Sequence, residues 1–267
     1  MVHTDCAFCI GSSHSICEDY AIAGNDSVFV SDGCSSVNHS DVGARILARV
    51  ANVNVPKLSD YSINEDDYFN KVIYDSWSIS ESLGMHRDSL FATLLALRLQ
   101  QSKLFFHALG DGVLALVKAN GDADIISIDF PSNAPKYLAY RLTKNDTIRF
   151  SSIDEGRKIS QYKIRDNKCN AEPTIYERGS EYKDLYTGVF DRRDYKWAAI
   201  VSDGIFSFVR KEQRSEVPLT EVFADLFRKI NNFKGSFIQR RLSRFMSEYA
   251  KEDKINYDDI SMAGIIL

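Results

Sequence analysis

The chain has 267 residues, 44% hydrophobic and 26% charged, with a formal net charge of −4. That balance is ordinary for a globular protein and carries no global basic signal for nucleic acid. No stretch approaches the ~20 consecutive apolar residues of a membrane-spanning helix, and Met1–Asp5 lacks the basic start and apolar core of a secretory signal. One large domain covering 1–267, cytoplasmic, with neither a nucleic-acid nor a membrane partner, is therefore expected. The five cysteines (Cys6, Cys9, Cys17, Cys34 and Cys169) are odd in number and suggest no disulfide framework. Cys6 and Cys9 form a lone C-x-x-C without the second pair that zinc needs, and read as small buried hydrophobes.

In chain order, Cys6–Asp32 reads as strands joined by short turns, with a turn at Asn25-Asp26. Val42, Ile46, Leu47 and Val50 recur at helical spacing within Asp41–Val55, and Phe69, Val72, Ile73 and Trp77 do so within Glu65–Leu83. Strands follow at Leu90–Leu99, Lys103–Leu109, Val113–Lys118 and Ala123–Phe130, with Asn120-Gly121 as a hairpin signal. Thr147–Ile153 alternates as a half-buried strand should. Residues 154–195 are polar, broken by Gly156, Pro173 and Gly179, and read as an irregular, flap-like segment. Trp197–Ser202 is a strand. Two amphipathic helices follow, one through Leu219, Val222, Phe223, Leu226, Phe227 and Ile230, the other through Phe237, Ile238, Leu242, Phe245, Met246 and Tyr249. Ile260–Leu267 is the closing strand. Helix pairs set between strand runs do not suit a βαβ sheet; they suit antiparallel sheets covered by helices, an α+β fold.

Three of the apolar runs end in an Asp-Gly pair: Asp32-Gly33, Asp111-Gly112 and Asp203-Gly204. Glu18-Asp19 opens a strand, and Asp258-Asp259 precedes the last one. Any single Asp-Gly is more often a plain turn. Several at strand ends suggest carboxylates gathered at one rim, where they repel unless cations neutralise them. Carboxylates and an open glycine carbonyl suit hard cations such as Mg²⁺ and Mn²⁺. Glu18, Asp19, Asp32, Asp111, Asp203 and Asp258 could hold two such ions, an arrangement that supports in-line displacement at phosphorus.

These residues resemble, in order and over almost the whole chain, the motifs of the metal-dependent protein phosphatase family (PPM, or protein phosphatase 2C), in its divergent bacterial-type branch. Cys17-Glu18-Asp19 resembles the "ED" motif, and Phe29 to Ser36 the first "DG" motif. Phe91 to Leu95 resembles "GTT(A/L)", and Ala108 to Gly112 resembles "AGDSR". Val201 to Phe206 resembles "SDGLWD", and Asp258-Asp259-Ile260-Ser261 resembles "DNIT". The resemblance implies a four-layer α-β-β-α sandwich of two mainly antiparallel sheets flanked by helix pairs. It implies two bound Mn²⁺ or Mg²⁺ ions, with a third, weaker site, and hydrolysis of phosphoserine and phosphothreonine by a metal-activated water. Asp32 would bridge the metals, Asp203 and Asp258 would complete one site, and Glu18 with the Gly33 carbonyl would serve the other. Asp19 would order metal-bound water, and Asp111 would hold the third ion. The partners implied are a phosphorylated protein and a cognate Ser/Thr kinase, and a monomer is expected.

Two positions depart from the family pattern. His14 stands where many members carry a phosphate-contacting Arg, and Cys34 where many carry a candidate general-acid His. His14 could bind phosphate when protonated or be a hydrogen-bonded structural residue. These departures motivate an alternative, a pseudophosphatase that binds a phosphoprotein or kinase without turnover; a two-metal nuclease fits the acidic balance poorly. His39 reads as exposed or capping. Tyr137 and Tyr140 read as core packing.

Overall fold

The computed structural model describes residues 2–55, 64–130, 135–143, 157–170, 172–178, 184–228 and 230–267. The strands are β1 (Thr4–Cys9), β2 (Asp19–Ala23), β3 (Ser27–Asp32), β4 (Leu94–Gln100), β5 (Lys103–Leu109), β6 (Gly112–Val117), β7 (Ala123–Asp129) and β8 (Lys158–Arg165). They continue with β9 (Lys168–Cys169), β10 (Thr174–Arg178), β11 (Leu185–Asp191), β12 (Trp197–Val201), β13 (Phe208–Arg210), β14 (Ser215–Glu216), β15 (Lys254–Asn256) and β16 (Ile260–Ile266). The α-helices are α1 (Ser40–Val53), α2 (Glu65–Ser82), α3 (Leu219–Leu226) and α4 (Phe237–Lys251).

An eight-stranded antiparallel sheet runs β1-β16-β12-β6-β7-β8-β10, with β9 on β8; a five-stranded one runs β11-β5-β4-β3-β2. Strand alternation builds three cores. On β12, Ala198 and Ile200 face the other sheet with Val28, Val30, Leu95, Leu97 and Phe106, while Trp197, Ala199 and Val201 face α3 and α4. On the far side Phe29, Leu94 and Ala96 meet Leu47 of α1 and Phe69, Val72 and Ile73 of α2. Three apolar layers between four structural layers make the α-β-β-α sandwich expected from the motif order.

Several details differ from the sequence reading. The described part of 154–195 is not irregular but forms β8 to β11, which extend an edge of each large sheet. Only Ile159, Ser160 and Ile164 of β8 are buried; Lys163 is exposed, and the remaining positions, three polar and one a tyrosine packed on Phe223, are half-buried. That dilution hides the alternation. The strand expected at Leu90–Leu99 begins later, at Leu94, because Arg87–Leu90 forms a 3-10 turn. The first C-terminal helix stops at Leu226, short of Ile230. A small third sheet, β14-β13-β15, was not foreseen. The strand expected at Thr147–Ile153 lies outside the described residues.

Candidate active site

Register brings the acids to one end of the sandwich. Asp19 and Asp32 are direct antiparallel partners on β2 and β3, so their side chains share a face. Val113 pairs with Val201, and Val201 with Met262. The turn holding Asp111, the 3-10 turn opened by Asp203, and Asp258 just ahead of β16 therefore lie side by side. Gly112 has φ 133°, and a Cβ there would stand 2.7 Å from the Val201 carbonyl oxygen, so only glycine lets the Asp111 turn approach β12.

The acids feel one another. Burial, with the charge of Asp258, pushes the Asp203 carboxyl up to about 6 against hydrogen bonds from Asp32 and the Gly204 N–H. Burial pushes Asp19 up to about 7, opposed by hydrogen bonds from Asp32 and Ser202 and reinforced by the charge of Asp203. Asp32 and Asp111 are driven well upward, by burial first and then by the charge of Asp203. The Ser202 hydroxyl donates to Asp19 Oδ2 at 2.6 Å, while Asp19 Oδ1 and Asp111 Oδ1 are buried without a hydrogen-bond partner among the described residues.

Glu18 and Gly33 sit on the α1 side of this group. The Ser40 hydroxyl donates to Glu18 Oε1 at 2.6 Å, and the Gly33 N–H donates to the Glu18 carbonyl at 3.2 Å. A Cβ on Gly33 would stand 2.7 Å from the Ser40 carbonyl oxygen. The Thr93 hydroxyl accepts from the Asp32 N–H, and the Thr93 N–H donates to the Asp32 carbonyl. The Asp32 backbone is thus fixed from β4.

This donor set fits hard divalent cations. Buried carboxylate oxygens without donors, in mutual repulsion, are stabilised by positive charge. All the candidate ligand atoms are oxygens. Among the described residues no three acidic, His or Cys side chains close around one ion position. An open cluster of this kind suits Mg²⁺, which keeps several of its waters and takes few protein ligands directly.

The chain matches the family model described as "Protein phosphatase 2C" over residues 11–247. The chain belongs to the protein phosphatase 2C family. No curated protein sequence matches it. Among solved structures it is similar to the serine/threonine phosphatase PstP/Ppp of Mycobacterium tuberculosis, at 13% identity and TM-score 0.56, covering 100% of this chain and 98% of that one. It is similar to the serine/threonine phosphatase of S. agalactiae, at 11% identity and TM-score 0.57, covering 100% of both chains. The type VI secretion regulatory component PppA of Pseudomonas aeruginosa matches at 10% identity and TM-score 0.57, covering 99% of this chain and 97% of that one. At these identities the likeness is one of fold.

The positions that depart from the family motifs have clear surroundings. His14 turns both ring nitrogens to acids, Nδ1 lying 3.1 Å from Asp259 and Nε2 3.4 Å from Asp258. Burial pulls the His14 imidazolium down, but the Asp259 contact and the charges of Asp258 and Glu18 outweigh it, and the net shift is upward. Cys34 Sγ lies 3.1 Å from the Ser36 hydroxyl, and its N–H donates to the Phe91 carbonyl. Burial pushes the Cys17 thiol up to about 12, with Asp259 and Asp19 adding to it, so it stays protonated. His39 is exposed at the N-cap of α1 and makes no side-chain cap bond.

Four residues near the cluster escaped the sequence reading. Asp259 is buried and accepts the N–H groups of Gly11 and Glu18 at 2.7 and 2.6 Å, so it clamps the N-terminal loop to β16. Asp129, at the end of β7, adds its charge to those acting on Asp111 and Asp203. Ser202 links Asp19 to the Ser261 N–H, which donates to its hydroxyl at 2.9 Å. Tyr137, read as core packing, does stack on Phe91, but its hydroxyl also meets Cys34 within the field of Asp32 and Asp111. Burial, then Cys34, drives that phenol upward, so it is a neutral donor. An acid immediately beside a motif acid was the available signal for Asp259. Asp129 and Tyr137 lie far from the motifs in sequence and left none.

Proposed function

We propose that this chain is a Mg²⁺- or Mn²⁺-dependent phosphoserine/phosphothreonine protein phosphatase. The observation that carries the reading is the group of desolvated, mutually repelling carboxylates, Asp19, Asp32, Asp111 and Asp203, in which one oxygen each of Asp19 and Asp111 is buried with no donor among the described residues. Two cations, when bound, supply charge neutralisation and an activated water for in-line attack at phosphorus. Asp32 is the proposed bridge; Asp203 and Asp258 would hold one ion, and Glu18 with the Gly33 carbonyl the other. Asp111 would serve a third. Asp19, oriented by Ser202, would accept a proton from water at the site. Tyr137 would offer a hydrogen bond at the site's edge. The proposed setting is a cytoplasmic monomer acting on phosphorylated proteins opposite a Ser/Thr kinase.

The test is hydrolysis of an aryl phosphate and of a phosphoseryl peptide with Mn²⁺, with and without chelator. Asp32→Ala is expected to lose both turnover and metal uptake. Purified chain inactive across several metals at neutral and alkaline pH would overturn the reading. The second reading, binding without turnover, is favoured by one observation: His14 is engaged by Asp258 and Asp259. Calorimetry separates the two, since a chain that takes up neither Mn²⁺ nor Mg²⁺ is not the enzyme proposed.

A further inference from the structure

A cavity of about 620 Å³ opens between the α3–α4 connection and the first two turns of α4. Ile230, Asn232, Phe237, Arg240, Arg241 and Arg244 line it. Arg241 is 8% exposed, and none of its contacts among the described residues is to a carboxylate. Its Nε donates to the Leu226 carbonyl at 2.7 Å and its Nη2 to the Asp225 carbonyl, which closes the C-terminal end of α3. That structural task uses two of the three guanidinium nitrogens. Nη1 makes no hydrogen bond among the described residues. Burial and the charge of Arg228 pull this guanidinium down only to about 10, so it is cationic at neutral pH.

The surroundings add positive charge. Arg240 Nη2 donates to the Asn232 and Lys234 carbonyls at 3.3 and 2.6 Å, which ties the connection to α4. Among the described residues Arg244 reaches only Glu248, at 3.9 Å, and Glu248 is already taken by Arg228. The acids that act on Arg241 are Glu248 and Asp225, and the Asp225 carboxylate accepts from the Tyr249 hydroxyl. Four arginines, Arg228, Arg240, Arg241 and Arg244, therefore face the carboxylates of Asp225 and Glu248, while a third, Asp5, is spent on the Ile238 and Gln239 N–H groups at the start of α4.

We propose that this cavity is a second ligand site, distinct from the acid cluster, for a small organic phosphate whose phosphoryl group meets Arg241 and Arg244 and whose apolar body covers the partly buried Ile230. Planar guanidinium forks match phosphoryl oxygens better than point charges do. The volume falls in the ~300–1,000 Å³ range of small-molecule pockets. The chain's net charge of −4 and the concave shape favour a small anion over nucleic acid or an anionic membrane. The 15 residues of α4 span about 22 Å at 1.5 Å each. Asp258 follows the far end of that helix, so an anion held here does not touch the acid cluster.

The structure supplies a reporter. Trp197 lies edge-on to Phe237 and Phe233, with ring centroids 6.5 and 6.3 Å away. In full-length Trp77→Phe protein Trp197 is the sole tryptophan of the two in the chain. Phenylphosphonate, which phosphatases cannot hydrolyse, and inorganic phosphate are titrated separately, with Mn²⁺ and with chelator. The expected result is a saturable Trp197 fluorescence change in both conditions, with phenylphosphonate binding more tightly than phosphate. Arg244→Gln should weaken both by about tenfold, and should leave the melting temperature unchanged because Arg244 is exposed and pins nothing. Arg241→Gln should abolish the signal and also lower the melting temperature by releasing α3, so the decision rests on Arg244. Absence of a saturable change at millimolar probe overturns the proposal, as does an affinity unaltered by Arg244→Gln. Equal affinities for the two probes remove the apolar body and overturn the ligand class named.

Discussion

Replacing Asp203 by Asn should stabilise the metal-free protein. Asn stands in for the protonated acid, and the charge of Asp203 is among the forces that raise Asp19, Asp32 and Asp111. Asp203 itself is raised, by burial first, from 3.8 to about 6. A carboxyl raised in the folded state adds stability that is full below its unfolded pKa and is lost as pH climbs through the folded value. The wild-type chain without metal should therefore lose stability between about pH 4 and pH 6 through this one group. That rise corresponds to about 3 kcal/mol, or about 5 °C in melting temperature for a chain of this length. Thermal melts in chelator should place Asp203→Asn above wild type by that amount near about pH 8, and by about half as much near about pH 5. Saturating Mn²⁺ should reverse the order, because only the wild type gains the full binding free energy. An Asn variant equal to or below wild type in chelator at the higher pH would show that these carboxylates are not in mutual repulsion, and the argument for a cation site would fail with it.

Gly33→Ala places a Cβ against the Ser40 carbonyl and shifts the Gly33 carbonyl; Mn²⁺ affinity by calorimetry should fall by about tenfold, and an unchanged value would remove Gly33 from the ligand set. Tyr137→Phe should leave Mn²⁺ affinity intact while lowering kcat toward an aryl phosphate by about tenfold or more; equal kcat would return Tyr137 to a packing role. Ser202→Ala removes the donor to Asp19 and leaves the buried Ser261 N–H without its acceptor. Urea unfolding should show a loss of about 2 kcal/mol, and a loss below about 0.5 kcal/mol would mean that water replaces the hydroxyl.

The layers were legible because burial on both faces writes itself into composition. β12 is an uninterrupted apolar run and β16 is apolar but for Ser261, and each abuts a core on either side. The helices were legible through their spacing: Leu47 and Phe69, Val72 and Ile73 do face the five-stranded sheet. β8 to β11 were not, because at a sheet edge few positions need be apolar, and a strand such as Lys158–Arg165 carries its ladder in the backbone rather than in its side chains. In the site, the motif acids stood out because each borders an apolar run: Asp32, Asp111 and Asp203 end one, and Glu18-Asp19 and Asp258 open one. Asp259 and Tyr137 did not, because what distinguishes them is direction: Asp259 turns inward to two N–H groups, and Tyr137 reaches Cys34 across the Phe91 ring. A pattern of residue types does not encode which way a loop side chain points.

The two unusual residues on the N-terminal side of the site read best as one substitution. Where the family motif resembling Asp258-Asp259 has a neutral Asn in second place, this chain carries a second acid, and its carboxylate is buried. An added buried charge is costly unless it is paired. His14, where many members carry Arg, lies against that carboxylate and within 3.4 Å of Asp258. Its upward shift keeps the imidazolium form available to a higher pH than a free histidine would allow. The side chain at position 14 is therefore directed inward to the acid at 259. A phosphate approaching the cluster would have to be held by other donors, and the hydroxyl of Tyr137, just ahead of the 3-10 turn Leu138–Leu142 and within the field of Asp32 and Asp111, is a neutral group that could do so.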